Sequence, residues 1–124
     1  MTSIQIMEIL SLPQERFRTW LKNGYIKPTY PAKKRGNAAK YTLADFYLIG
    51  TFNILVNSGH KRSTAAYLIS ALQYNNKILT DDTIRIYLTP DKEISIVINA
   101  KQIRRTINKL TIKMLRDKGI LSEF

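Results

Sequence analysis

The chain has 124 residues, of which 44% are hydrophobic and 23% charged, as expected for one globular domain or a small domain with an appendage. Twenty Lys and Arg residues against nine Asp and Glu give a net charge of +11, which favours a polyanionic partner such as nucleic acid. Without cysteine, disulfides, thiolate metal sites and cysteine nucleophiles are excluded, and the single histidine cannot form a metal cluster unaided. No apolar run is long enough to span a membrane and no signal peptide is evident, so we expect a cytoplasmic protein.

The first two predicted elements are short helices on either side of a tight turn. Thr2 or Ser3 can cap a first helix that ends at Leu10. The following Ser-Leu-Pro sequence breaks this helix, because proline is disfavoured in a helix interior. Proline suits the first turn of a helix, so a second helix is predicted from Pro13 to about Asn23.

The second helix divides into a core side and an outer side. Phe17, Trp20 and Leu21 follow the spacing i, i+3, i+4 and should face the core. In a helix that enters the major groove, cations contact phosphates while polar side chains read base edges, and the sequence does not fix which side chain reads a base. The candidate DNA contacts on this helix are Gln14, Glu15, Arg16, Arg18, Thr19 and Lys22.

A basic loop follows the second helix. Residues 25–30 look extended, the tip at 33–37 holds three adjacent cations and a turn signal, and residues 38–41 can return as the second strand of a small hairpin. These cations either form part of a mobile charged loop or contact phosphates or the minor groove, and we expect the second. These cations are Lys33, Lys34, Arg35 and Lys40.

Two further helices are predicted after this hairpin. Thr42 and Asp45 have the spacing of a capping box and open a third helix that runs to about Ser58. A fourth helix begins at about Lys61 or Arg62 and ends near residue 73. These two cations oppose the dipole at the start of the fourth helix, a mild cost that favours a phosphate contact.

The last fifty residues change character, and the boundary is placed at residues 74–77. Residues 83–89 and 94–99 alternate between apolar and polar residues and predict a β-hairpin, whose apolar face must pack on something. A last helix over 100–118 has an apolar stripe that is either core or a dimer interface. Its cations are expected to form a solvated face, with a second DNA surface as the alternative; they are Arg104, Arg105, Lys109 and Arg116.

The first 72 residues resemble the DNA-binding module of MerR-type transcriptional regulators. The resemblance lies in a helix, a turn, the sequence FRTW followed by LKNGYIKP, a basic wing, KYT at the end of the wing, and a helix that ends in Ser-Gly. It implies a winged helix-turn-helix that binds a two-fold operator as a dimer. It also implies that Arg18 contacts a phosphate. Tyr41 matches the aromatic residue that closes the wing in this family and is a further candidate DNA contact. Ala39 departs from the family, which usually has an arginine there.

The expected fold is mainly α with small β: a MerR-like winged helix at 1–74, then a β-hairpin and helix at 75–124 that dimerise or regulate. The family normally continues into a long coiled-coil helix, so the tail departs from it. The leading function is a sequence-specific, dimeric, nucleoid-associated transcriptional regulator without a cofactor. The alternatives are an excisionase-like or architectural DNA-bending factor and, outside nucleic acid, a module that docks an acidic protein. An enzyme is not expected, because no nucleophile–base pair, metal set or phosphate-binding glycine loop is evident.

Overall fold

The computed structural model describes residues 1–33, 38–73 and 76–121. In these ranges the protein is mainly helical, with six helices and one two-stranded antiparallel sheet, which confirms the predicted class of mainly α with small β. None of the described helices combines the length and the apolar character needed to cross a membrane. The elements are α1 (Ser3–Leu10), α2 (Gln14–Lys22), α3 (Leu43–Asn57), α4 (Arg62–Leu72), α5 (Lys77–Thr80), β1 (Ile84–Tyr87), β2 (Ser95–Ile98) and α6 (Ala100–Asp117).

Helices α1 and α2 form as predicted, each with a clear start and end. Thr2 caps α1 through a capping box, in which its hydroxyl accepts the Gln5 backbone N–H at 3.2 Å and the Gln5 side chain accepts the Thr2 N–H at 2.9 Å. The helix ends at Ser11, which takes the left-handed conformation with φ of 52°. Pro13 precedes α2, and Gly24 follows it with φ of +72°, a conformation that glycine adopts at little cost.

Helix α3 is the centre of the fold. The spacing of Phe46, Ile49, Phe52 (or Asn53) and Val56 predicts one buried side, but α3 is buried all round from Ala44 to Asn53. The reason is that α4 and α5 pack along α3, while α6 covers the side where Ile107 meets Gly50 and α2 reaches it where Trp20 meets Phe52. A single hydrophobic cluster therefore includes residues from both the first and the last helix.

The β-hairpin pairs in the register Ile84 with Ile98 and Ile86 with Ile96. The sequence placed six apolar residues on one packed face, and the part of that face nearest the turn does not pack. Ile84, Ile86 and Ile98 are buried, but Leu88 is 39% exposed and Ile94 is 56% exposed. The hairpin reaches beyond the helices that cover its base, so its apolar tip lies in solvent.

The sequence Pro90-Asp91-Lys92 predicts a type I turn with proline at its second position, and Pro90 does occupy the second position of the turn over 89–92. The Lys92 N–H donates to the Thr89 carbonyl at 3.0 Å, and Lys92 itself adopts a positive φ of 63°. Hydrogen bonds from the Thr89 hydroxyl and from the Glu93 N–H hold the pKa of Asp91 below its usual value. The charged carboxylate thus organises the turn.

The apolar stripe of α6 packs in the hydrophobic core. Ile107 is fully buried, and Ile103, Leu110 and Met114 pack against the central cluster. A Cβ atom on Gly50 would overlap with the Ile107 side chain, so α3 and α6 approach as closely as they do because position 50 has no side chain.

Arg104 does not belong to a solvated face, contrary to the prediction. Its guanidinium donates to the Ile78 carbonyl at 2.9 Å and to the Asp81 carbonyl at 2.7 Å, and it lies 3.8 Å from the Asp82 carboxylate. These carbonyls belong to α5 and its C-terminal cap, a four-residue helix too short to be visible as a periodic pattern. Arg104 therefore ties α6 to α5.

Candidate nucleic-acid interface

The outer face of α2 presents the polar side chains that the sequence assigned to it. Gln14, Glu15, Arg16, Arg18, Thr19 and Lys22 are all exposed. At about 100° per residue, Glu15, Thr19 and Lys22 lie at the centre of the outer face and Arg18 beside them. Gln14 and Arg16 lie at its two flanks.

Aromatic contacts hold α2 in place on the opposite side. Trp20 is 1% exposed and meets Phe52 edge-to-face at 4.7 Å between ring centroids. Tyr25 stacks on the same Phe52 ring at 5.7 Å, and Phe17 meets Tyr41 edge-to-face at 6.0 Å. Aromatic pairs of this kind each contribute about 0.5–1.5 kcal/mol beyond area burial. The outer face is therefore carried on a firmly seated helix.

The cations of α2 have no carboxylate partner in the described residues. The two ion pairs found there join Arg104 to Asp82 and Lys118 to Glu8, and neither involves α2. Glu15 precedes Arg18 by three residues, a spacing that allows a pair, yet no ion pair forms. The positive charge of α2 is consequently left for a partner outside the chain.

Thr19 has less freedom to read a base than the sequence suggested. Its hydroxyl donates to the Glu15 carbonyl at 2.9 Å, one turn earlier in α2. The methyl group and an acceptor lone pair remain available, which suits contact with a thymine methyl. Gln14 keeps its whole amide, so it is the residue of this face best able to form a bidentate contact with adenine.

The basic loop after α2 is closed by one bridged pair. The Tyr30 N–H donates to the Lys40 carbonyl at 3.2 Å, and the Lys40 N–H donates to the Tyr30 carbonyl at 2.8 Å. The sequence predicted a second strand over 38–41; in the described residues it is reduced to this bridge, and Pro28, two residues before Tyr30, has no N–H for the next ladder bond. We call residues 30–40 the basic loop.

The cations of the basic loop fall into two groups. Lys33 and Lys40 are exposed, at its two ends. Lys34 and Arg35, predicted at its tip, lie outside the described residues.

Tyr41 does not lie on the outer surface. It is 3% exposed and its ring contacts Phe17, whereas Tyr30 is 62% exposed. Burial, and secondarily the charge of Asp45, raises the pKa of the Tyr41 phenol. The prediction of Tyr41 as a DNA contact is therefore corrected, because Tyr41 supports α2 from the core side. Tyr30 is the accessible aromatic residue of the basic loop.

Asp45 has a role that the sequence did not reveal. It forms the predicted capping box with Thr42, and its carboxylate also binds Thr29 through both the backbone N–H and the hydroxyl. Thr29 lies sixteen residues earlier, so no local pattern indicates this contact. Asp45 fixes the start of the basic loop to the first turn of α3.

Lys61 and Arg62 lie at the start of α4 and are exposed. The first turn of α4 has no acidic residue and no side-chain cap, so its N–H groups and both cations favour an anion. Trp20, near the end of α2, contacts Phe52 in the second half of α3, and α4 begins five residues after α3 ends. The cations of α2 and those at the start of α4 are therefore both carried beside the C-terminal half of α3.

No group of three His, Cys, Asp or Glu side chains that could hold a metal ion occurs in the ranges that the structure describes. A cleft of about 450 Å³ lies between the start of α3 and the α4–α5 connection, lined by Lys27, Thr29, Gln73 and Asn76 among others. The Asp45 carboxylate in this cleft already accepts three hydrogen bonds from the protein. Asp45 thus fixes one wall of this cleft.

A scan against protein-family models and a search of curated proteins find no match to this chain.

Proposed function

We propose that this protein is a sequence-specific transcriptional regulator that binds double-stranded DNA. In this proposal α1 and α2 form a helix-turn-helix, α2 lies in the major groove, and the basic loop acts as a wing against the backbone or the minor groove. The order of two helices, a basic loop and two further helices supports this proposal. A winged helix-turn-helix is also what the resemblance to MerR-type regulators implies.

The observation that carries the proposal is the outer face of α2. Three cations lie on it without a carboxylate partner among the described residues, while the other side of the helix is fixed by Trp20 and Phe17. Opposite charges at i, i+3 or i, i+4 can pair on a helix face, but the described cations of α2 do not, so they remain available for phosphates.

The proposed contacts have different tasks. Arg16, Arg18 and Lys22 contact phosphates, while Gln14, Glu15 and Thr19 face base edges. Further phosphate contacts come from the basic loop and from the start of α4. These are assigned to Lys33, Lys34, Arg35, Lys40, Lys61 and Arg62.

Selection from a random duplex library with the purified protein tests the proposal. A specific binder enriches one sequence, and six to ten phosphate contacts per dimer would reduce affinity roughly 10³–10⁵-fold between about 50 and 200 mM salt. Affinity that stays flat over this range would exclude DNA as the partner. Salt-dependent binding without enrichment would exclude a sequence-specific regulator and favour an architectural factor.

We further propose that two copies assemble through the C-terminal region, at the tip of the hairpin. The stripe of α6 is occupied within its own chain, whereas Ile94 and Leu88 at the tip are 56% and 39% exposed. Solution mass by light scattering tests this: the protein should have twice its chain mass, and Ile94→Asp should yield monomers. An Ile94→Asp variant that keeps the dimer mass would place the interface elsewhere.

A further inference from the structure

The outer face of α6 carries a row of cations that the proposed function does not use. Lys101, Arg105, Lys109 and Lys113 follow one another at intervals of four residues, and all are exposed. Consecutive members are about 6 Å apart along the helix axis, a spacing that a row of backbone phosphates can match. Arg116 continues the row, and together these five residues are called the α6 ridge.

This ridge is unlike an ordinary solvated helix face. Three successive pairs of like charges stand at i, i+4, and such pairs destabilise a helix. Asp117 is the single carboxylate in α6, at its last residue. Lys101 also lies in the first turn, where the helix dipole opposes a cation. The chain tolerates charge repulsion along this helix, which a polyanion bound to the ridge would relieve.

The ridge and the outer face of α2 point in opposite directions. On α3, Gly50 faces α6 and Phe52 faces α2, and two residues of a helix turn about 200°. Trp20 of α2 and Ile107 of α6 therefore meet α3 on nearly opposite sides. A straight duplex seated on the outer face of α2 would leave the ridge free for a second duplex.

From these observations we infer that the α6 ridge is a second duplex-binding surface and that the protein joins two segments of DNA. The inference rests on the proposed function for the first duplex, which α2 holds. A membrane surface fits the ridge less well, because the apolar side of α6 is seated on the core and Ile112 is the large apolar side chain exposed among the cations. The second duplex is recognised by its phosphates and so without regard to sequence.

A two-duplex capture assay tests this inference. A biotin-tagged duplex of the selected sequence holds the full-length protein on beads, and a fluorescent duplex of unrelated sequence is then added. The ridge variant is Lys101→Gln/Arg105→Gln/Lys109→Gln. It should hold the first duplex within about threefold of wild type and capture the second roughly tenfold less or worse, since three phosphate contacts are lost.

A control variant removes the same charge elsewhere: Lys77→Gln/Arg85→Gln/Lys92→Gln. These side chains are exposed on α5 and on the hairpin and belong to neither the ridge nor the outer face of α2. Capture of the second duplex should stay near the wild-type level in this variant, and circular dichroism verifies that both variants fold. Equal capture by the ridge and control variants would overturn the inference, as would a wild-type protein that holds the first duplex and captures no second.

An α2 variant, Arg16→Gln/Arg18→Gln/Lys22→Gln, separates failure of the proposed function from failure of the ridge. It should lose the first duplex; if it binds as wild type does, the proposed function fails. In that event, loss of all DNA binding in the ridge variant would still support the ridge as a DNA surface, and unchanged binding would overturn it.

Vesicles of phosphatidylserine and phosphatidylcholine test a membrane as the partner of the ridge. The ridge variant and the control variant, which lose the same charge, should be retained on them to the same extent. Retention that the ridge variant loses, with duplex capture unchanged, would assign the ridge to membranes and overturn the inference.

Discussion

Asp45 and Thr29 are joined by two hydrogen bonds, in which the carboxylate accepts the Thr29 N–H at 2.7 Å and the Thr29 hydroxyl at 2.8 Å. The same carboxylate accepts the Thr42 N–H at 3.0 Å. One side chain therefore holds the segments before and after the basic loop on the first turn of α3. The base of this loop depends on a buried acid as much as on its single bridged pair.

The first prediction concerns this acid. Asp45→Ala should lower the free energy of unfolding by about 2–4 kcal/mol, because three donors lose a charged acceptor. Asp45→Asn should cost less than half as much, since an amide oxygen can still accept the two N–H groups. Urea denaturation measures both. Equal losses in the two variants would show that the carboxylate charge, and not the number of acceptors, matters.

The second prediction concerns Arg18, which is exposed on α2. Arg18→Ala should weaken binding on all duplex sequences alike and reduce the slope of log affinity against log salt by about 1, as loss of one phosphate contact does. Titrations of the selected duplex and of an unrelated duplex measure this. Arg85→Ala, on the hairpin, is the matched control and should change neither quantity. A loss of preference at one base pair would instead make Arg18 a base-reading residue.

The third prediction follows from the repulsion along α6. The variant Lys101→Gln/Arg105→Gln/Lys109→Gln removes three like-charged pairs and should raise the free energy of unfolding by about 0.5–1.5 kcal/mol at low salt. Glutamine and lysine have similar helix propensity, so the gain reports charge. Thermal melts with and without salt measure it, and the gain should shrink as salt screens the charges. A salt-independent gain would mean that repulsion is not its cause.

The fourth prediction tests the close approach of α3 and α6. Gly50→Ala should destabilise the protein by about 1–3 kcal/mol through overlap with Ile107, although alanine in a helix interior normally stabilises relative to glycine. Ile107→Val shortens the side chain that the new methyl group meets. The double variant should therefore be more stable than Gly50→Ala alone. If the stability changes of the two single variants simply add in the double variant, positions 50 and 107 are not in contact.

The fifth prediction uses the raised pKa of Tyr41, caused by burial and then by Asp45. Below the unfolded value of about 10 both states hold the proton and stability is unaffected. Above it the unfolded chain ionises first, so stability falls as pH rises towards the folded pKa. Wild type should thus lose stability more steeply than Tyr41→Phe between about pH 9 and 11. Tyr30→Phe, at an exposed site, is the control and should follow wild type.

Much of the helical framework was predictable because its signals are local. The caps at Thr2 and Thr42, the break before Pro13 and the spacing of Phe17 and Trp20 each act within one or two helical turns. The outward side chains of α2 followed from the same periodicity. Whether they meet DNA stays a proposal, since the fold alone does not identify a ligand.

What the sequence did not show depends on contacts between distant segments. The second role of Asp45 needs Thr29, the all-round burial of α3 needs α6, and the role of Arg104 needs a short helix with no periodic pattern. Tyr41 was predicted as an accessible DNA contact because it matches a position in the MerR-type family. Such a match indicates only where a residue lies along the chain, whereas the burial of its ring depends on the contact with Phe17.

The ion pair between Glu8 and Lys118 has a consequence for the synthesis of this protein. The first helix completes its contacts only when the last helix arrives, because Leu10 and Ile107 meet over Gly50. Contacts between such distant segments form slowly, since a long loop must close before they are gained. We therefore expect the chain to fold late, after nearly all of it has left the ribosome. A translation product that stops before α6 would then expose Gly50 and the side of α3 that Ile107 covers.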